Sequence, residues 1–152
     1  TRVGGLQPAQ RTWLDELLAT HGPSHQASVV YGHLPLHPVS RIKGDEALND
    51  MALEHVLARR NVTLVLTGHA HAYYPGRRGD LRIVCVPPLT DDTRPMLDGT
   101  MPRSGFLLFR IADGSIVELE AYESARPTVR IGRTGLPATL GVPPNAYTRD
   151  DL

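Results

Sequence analysis

Apolar positions divide this chain into a few short periodic runs. From Pro8 to about Thr20 they recur at helical spacing: Trp13, Leu14, Leu17 and Leu18 fall on one face, and Pro8 suits a first helical position. "HGP" at His21 stops that helix. "ASVVYG" then reads as a short β-branched strand, and "VTLVLT" as a strand covered on both faces, being almost wholly apolar. Between them a second helix is expected, with Asp45 as its N-cap and Leu48, Met51, Ala52 and Val56 along one side. Arg59 and Arg60 fall at its C-terminus, where the helix dipole favours cations, and Asn61 can end it. Strand, helix, strand is a βαβ unit, so the two strands should run parallel through a right-handed crossover.

The pattern then changes. "LRIVCV", "GFLLFRI" and "SIVELEAY" read as strands, the last two joined at "ADG", a hairpin signal. Between Pro87 and Ser104 runs a long loop carrying Asp91, Asp92 and four prolines, a length associated with functional or mobile segments. After Ala125 the chain turns rich in Pro, Gly, Arg and Thr, with one further strand in "TVRIG" and then a tail. The expected division is therefore a domain over 1–125 and an extension over 126–152.

Composition narrows the function classes. A chain of 152 residues is one ordinary domain able to bury about two thirds of its unfolded surface. Zero formal net charge and few aromatics argue against nucleic acid, and no apolar run approaches the roughly 18 residues of a membrane span. The one cysteine, Cys85, cannot form an internal disulfide; in "LRIVCVP" it reads as a small buried hydrophobe. It accords with a cytoplasmic location without excluding others. "TRVGGLQPAQ" has neither an initiator Met nor a signal-peptide pattern, which suits a processed N-terminus or a fragment.

The chemistry concentrates in histidines. "YGHLPLH" follows the first parallel strand and "LVLTGHAHAYY" contains the end of the second. Ligands of open α/β sheets collect beyond the carboxyl ends of strands, so topology sends His33, His69 and His71 to one edge. In extended chain His69 and His71 would project to one side, roughly 7 Å apart, able to bind one metal or two neighbouring ones. Gly68 would allow a sharp turn and close backbone approach. His21, His25 and His55 read as surface residues, and His37 as a supporting or solvent-facing one. Arg77 and Arg78 in "PGRRGD" could attract a phosphate but read more simply as a solvated turn.

Three segments carry a resemblance. "GHAHAY" resembles the G-H-x-H signature of the calcineurin-like metallophosphoesterases, the superfamily of purple acid phosphatases and bacterial cyclic-nucleotide phosphodiesterases. "VVYGHLPL" resembles the family's strand ending in His-x-Pro, and "GGLQPAQRTWLDELLA" is similar to its G-x-L-x-x-x-Q-x-x-W-L helix. The likeness runs from Gly4 to about Tyr122. It implies an αββα-type α/β fold, a β-sandwich flanked by helices, of which this chain would be the C-terminal half. It also implies metal-dependent hydrolysis of a phosphate monoester or diester at a dinuclear centre of Mn, Fe, Zn or Co. Carried over residue by residue, His33 and His69 would bind one ion and His71 the other.

The family's earlier motifs, an Asp-x-His, a Gly-Asp-x-x-Asp and a Gly-Asn-His-Asp or Glu, do not occur here. "KGDEALND" at Lys43 contains Gly-Asp, but it follows the His-x-Pro motif and does not replace the bridging aspartate. Two dications about 3.7 Å apart repel by on the order of 18 kcal/mol at an effective dielectric of about 20, and neutral imidazoles cancel none of it. Three histidines can hold one ion weakly, not the pair. Asp91 and Asp92 precede no metal motif and are at most outer carboxylates. The expectation is a chain inactive alone, whose partners are a phosphate-ester small molecule and the missing N-terminal half of the same domain. The uncovered sheet should also make the isolated chain self-associate or leave it marginally stable. The alternative is a non-catalytic metal-binding or interaction module derived from the same fold.

Overall fold

The computed structural model describes residues 5–152. In chain order it contains helix α1 (Pro8–His21), strand β1 (Val29–Tyr31), helix α2 (Met51–Arg59), β2 (Leu64–Thr67), β3 (Tyr74–Arg78), β4 (Leu81–Cys85), β5 (Gly105–Ala112), β6 (Ser115–Glu123), β7 (Thr139–Leu140) and β8 (Tyr147–Arg149). Six strands form one sheet in the order β1-β2-β4-β3-β8-β7, while β5 and β6 make a separate hairpin. Among the described residues the fold is thus α/β, mostly sheet, with two α-helices and one 3-10 turn at Gly22–Ser24.

The βαβ unit is present. β1 and β2 are parallel, with Val29 opposite Leu64 and Tyr31 opposite Leu66, and β2 continues parallel to β4. Leu64 and Val65, on opposite faces of β2, are both buried, as its continuous apolar run requires. Leu53 and Leu57 of α2 join Ile83, Val84, Tyr73, Tyr74 and Tyr147 in the core. Asn61 adopts φ +52° after α2, the left-handed residue expected just past a helix end.

α2 begins later than its sequence suggests. Asp50, not Asp45, is the cap: its carboxylate accepts from Leu53 N–H at 2.9 Å. Residues 41–49 stay outside the helix because the N–H groups of Leu48 and Asn49 bond the carbonyls of Pro35 and Leu36. The buried face is therefore Leu53, Val56 and Leu57, and Met51 and Ala52 face solvent. α1 has the expected span, but Trp13 and Leu17 are exposed and only Leu14 and Leu18 lean on the core. Asp15 ties it to the end of α2 through Arg59 at 2.5 Å and Arg60 at 2.7 Å.

Two regions that composition assigns to turns and tail are sheet. "YPGRR" is β3, where Tyr74, Pro75 and Gly76 are buried between β4 and β8. A Cβ on Gly76 would lie 3.1 Å from the Tyr74 ring and 3.2 Å from Tyr147 Cβ, so packing rather than a turn accounts for this glycine. Within 126–152, Thr139–Leu140 and Tyr147–Arg149 become β7 and β8, and Leu140 and Tyr147 are buried. "TVRIG" contributes a single bridge, Arg130 to Tyr122, rather than a strand. The β5–β6 hairpin turns as its Asp-Gly pair suggests, with φ +48° at Asp113 and +76° at Gly114.

Candidate functional site

His33 lies two residues beyond β1 and His69 two residues beyond β2. Because the strands are parallel, both loops leave the same edge. The ladder runs on past them: Gly32 N–H donates to Leu66 O, and Gly68 N–H to His33 O, both at 3.0 Å. These bonds bring the two imidazoles into contact. His33 Nε2 and His69 Nδ1 are 2.9 Å apart, with ring centroids 4.8 Å apart and planes crossed at 68°.

The backbone strain sits on the histidines, not on Gly68. His69 has φ +62° and His71 φ +53°, left-handed values that non-glycine residues adopt at a cost of order 1 kcal/mol or more. A Cβ on Gly68 would find only His33 O, at an ordinary 3.7 Å. The extended-chain geometry expected for His69 and His71 is therefore replaced by two left-handed residues, which send the rings to different partners. His71 Nδ1 lies 2.7 Å from Asp92 O and 2.9 Å from Asp92 Oδ2. Arg94 N–H donates to His71 O at 3.0 Å, which joins the Pro87–Ser104 loop to the histidine turn. Asp91 points elsewhere and accepts from Ser104 Oγ.

Two further side chains reach His69. Its Nε2 is in close contact with Glu46 Oε2, and Lys43 Nζ lies 3.3 Å from the same nitrogen and 2.9 Å from Glu46 Oε2. Lys43 foremost, then His69, hold the Glu46 carboxyl below its ordinary range. Both residues belong to "KGDEALND", which the sequence reading set aside. Nothing in their spacing signalled it, since only the fold of the β1–α2 loop brings them to the strand ends. Asp92 likewise had no motif. Among the described residues, no group of three or more His, Cys, Asp or Glu side chains could by itself hold a metal ion.

The remaining sequence candidates have structural roles. Cys85 is buried, and burial pushes its thiol up to about 12. His37 faces neither solvent nor the His33–His69 pair. It is fully buried, with Nε2 2.6 Å from Glu54 Oε2, while its backbone N–H donates to Tyr147 Oη. Glu54 also accepts from Arg78 Nε at 2.8 Å, so Arg78 is committed within the fold, and the solvated-turn reading of "PGRRGD" gives way to a strand. His21, His25 and His55 are exposed, as expected.

No protein-family model matches the chain, and no curated protein sequence matches it. Solved structures do. GAP50, the anchor in the inner membrane complex of Plasmodium, is similar at a TM-score of 0.62 and 16% identity, over 80% of this chain and 40% of that one. At that identity the likeness is one of fold. This chain spans well under half the length of that relative. Among the described residues, no helix is long and apolar enough to cross a membrane.

Proposed function

We propose that this chain supplies the C-terminal part of a metallophosphoesterase site, an αββα-type sandwich in which His33 and His69 hold one divalent ion and His71 a second. The substrate class is a phosphate monoester or diester. The observation that carries the reading is the His33–His69 contact at the tips of adjacent parallel strands. Two cis ligands at about 2.05 Å from one ion would stand about 2.9 Å apart, so the separation of these nitrogens suits a shared cation. Divalent ions bound there would supply Lewis acidity toward a phosphoryl oxygen.

The chain's own residues set the limits. His33 and His69 offer neutral donors, and His71, oriented through Nδ1 by Asp92, leaves Nε2 free for a second position. Lys43, at the same edge, adds a positive charge suited to a phosphate oxyanion. None of these cancels the mutual repulsion of two dications, so a dinuclear site would need a bridging carboxylate in addition to the histidines. Leu108 and Phe109, neighbours in β5 and so on opposite faces of the β5–β6 hairpin, leave apolar surface exposed on both sides of it that further chain could cover.

The test compares this chain with one extended through its upstream reading frame, using an aryl phosphate and Mn²⁺. The reading requires metal-dependent hydrolysis by the extended protein, its loss in His69→Ala, and none by the chain alone. Ordinary enzymatic turnover by the chain alone overturns the division of the site. An extended protein that binds metal without hydrolysis moves the reading to a non-catalytic module, the role nearer to the neighbour's description as an anchor.

A further inference from the structure

His69 Nδ1 faces His33, whereas Nε2 faces Glu46 Oε2 in close contact and, farther off at 3.3 Å, Lys43 Nζ, whose shorter bond, at 2.9 Å, goes to the same Glu46 oxygen. An ionised carboxylate only accepts hydrogen bonds. The N–H of a neutral His69 must therefore lie on Nε2, against Glu46 Oε2. With the proton on Nδ1 instead, the Nε2 lone pair would face the carboxylate lone pairs in close contact. Nδ1 is thus left as the bare nitrogen, and it faces His33 Nε2 at 2.9 Å. We infer that Glu46 is the positioning residue of the site: it fixes His69 as the Nε2–H tautomer and aims Nδ1 at the point shared with His33. This rests on the metal-site reading above for its purpose, but not for its geometry.

The loop that carries Glu46 is built to hold it there. Lys43 anchors the carboxylate at 2.9 Å, and Glu46 N–H closes the turn onto Lys43 O at 3.1 Å. Downstream, Leu48 and Asn49 are tied to Pro35 and Leu36, in the same loop as His33. Glu46 is thereby fixed relative to His33 as well as to His69. A histidine whose second nitrogen donates to a carboxylate is the arrangement by which proteins orient and strengthen imidazole ligands, and its loss ordinarily lowers metal affinity 10- to 100-fold, on the order seen for outer partners.

The experiment has two readouts on the wild type, Glu46→Gln, Glu46→Ala and His33→Ala. The first is the long-range ¹H–¹⁵N spectrum of the imidazoles without metal. The inference expects one locked Nε2–H tautomer at His69 in the wild type and a mixture of both in Glu46→Ala, with Glu46→Gln, which keeps an acceptor oxygen, between them. The second is Zn²⁺ affinity by calorimetry, expected to fall about 10- to 100-fold in Glu46→Ala. An unchanged tautomer pattern in Glu46→Ala overturns the inference whatever the affinities. If wild type and His33→Ala bind Zn²⁺ equally, the metal-site reading fails instead, and the metal-free spectrum still decides the role of Glu46.

Discussion

At the scale of single residues, the left-handed His69 and His71 carry the site's cost, and their side-chain partners explain why it is tolerated. The two rings part company: one turns to His33 and Glu46, the other to Asp92. The sequence made the histidines legible because topology alone takes strand ends to one edge. It hid the roles of Glu46 and Lys43 and did not separate Asp92, which reaches His71, from Asp91, since loop residues of no fixed spacing are placed only by the finished fold. Cys85 makes the opposite case, an apolar strand context that was enough to identify a buried thiol. With its ionisation pushed up to about 12, almost no thiolate exists at pH 8. A thiol reagent such as Ellman's should label Cys85 only as fast as the protein opens, and immediately in urea. Rapid labelling of the native chain would contradict its burial.

At the scale of elements, β1, α2 and β2 follow from periodicity, whereas β3, β7 and β8 do not. A strand written "YPGRR" carries two residues that normally break strands, and its burial comes from Tyr147, more than 70 positions away. The hairpin offers a sharp test of packing. A Cβ at Gly105 would stand 2.0 Å from Tyr122 O and 2.9 Å from Ile131 Cδ1, and the first of these is backbone that cannot step aside. Gly105→Ala should therefore destabilise by about 3 kcal/mol or more, read from urea unfolding. A loss below about 1 kcal/mol would mean that β5 and β6 pair differently.

The α1–α2 clamp gives a pH test. Arg60, then Arg59, hold the Asp15 carboxyl down from 3.8 to about 2. A depressed carboxyl stabilises the folded state above its unfolded value and loses that effect as pH falls through its folded one. The difference in urea midpoint between wild type and Asp15→Asn should be present at pH 5, small because the pairs are at the surface, and should shrink steadily toward pH 2, where most of it is lost. A difference constant across that range would show that the clamp is not ionic.

At the scale of the molecule, the sheet ends on β1, where Tyr31 is 84% exposed, and its outer edge has no strand beside it among the described residues. This edge offers pairing surface to another strand, and Leu108, Phe109 and Val117 on the separate β5–β6 hairpin add exposed apolar area. The isolated chain should self-associate with rising concentration in sedimentation velocity, and a single monomeric species at high concentration would count against an uncovered layer. The fold likeness to the solved neighbour covers 80% of this chain and 40% of that one, so that protein carries further chain beyond the shared part.

The central claim is that His33 and His69 form one ligand pair. Zn²⁺ titration followed on the imidazole ¹⁵N signals tests it most directly. His33 Nε2 and His69 Nδ1 should shift together and saturate with the first equivalent, while His21, His25 and His55 stay where they were. Shifts confined to those three exposed rings, or none at His33 and His69, would contradict the account.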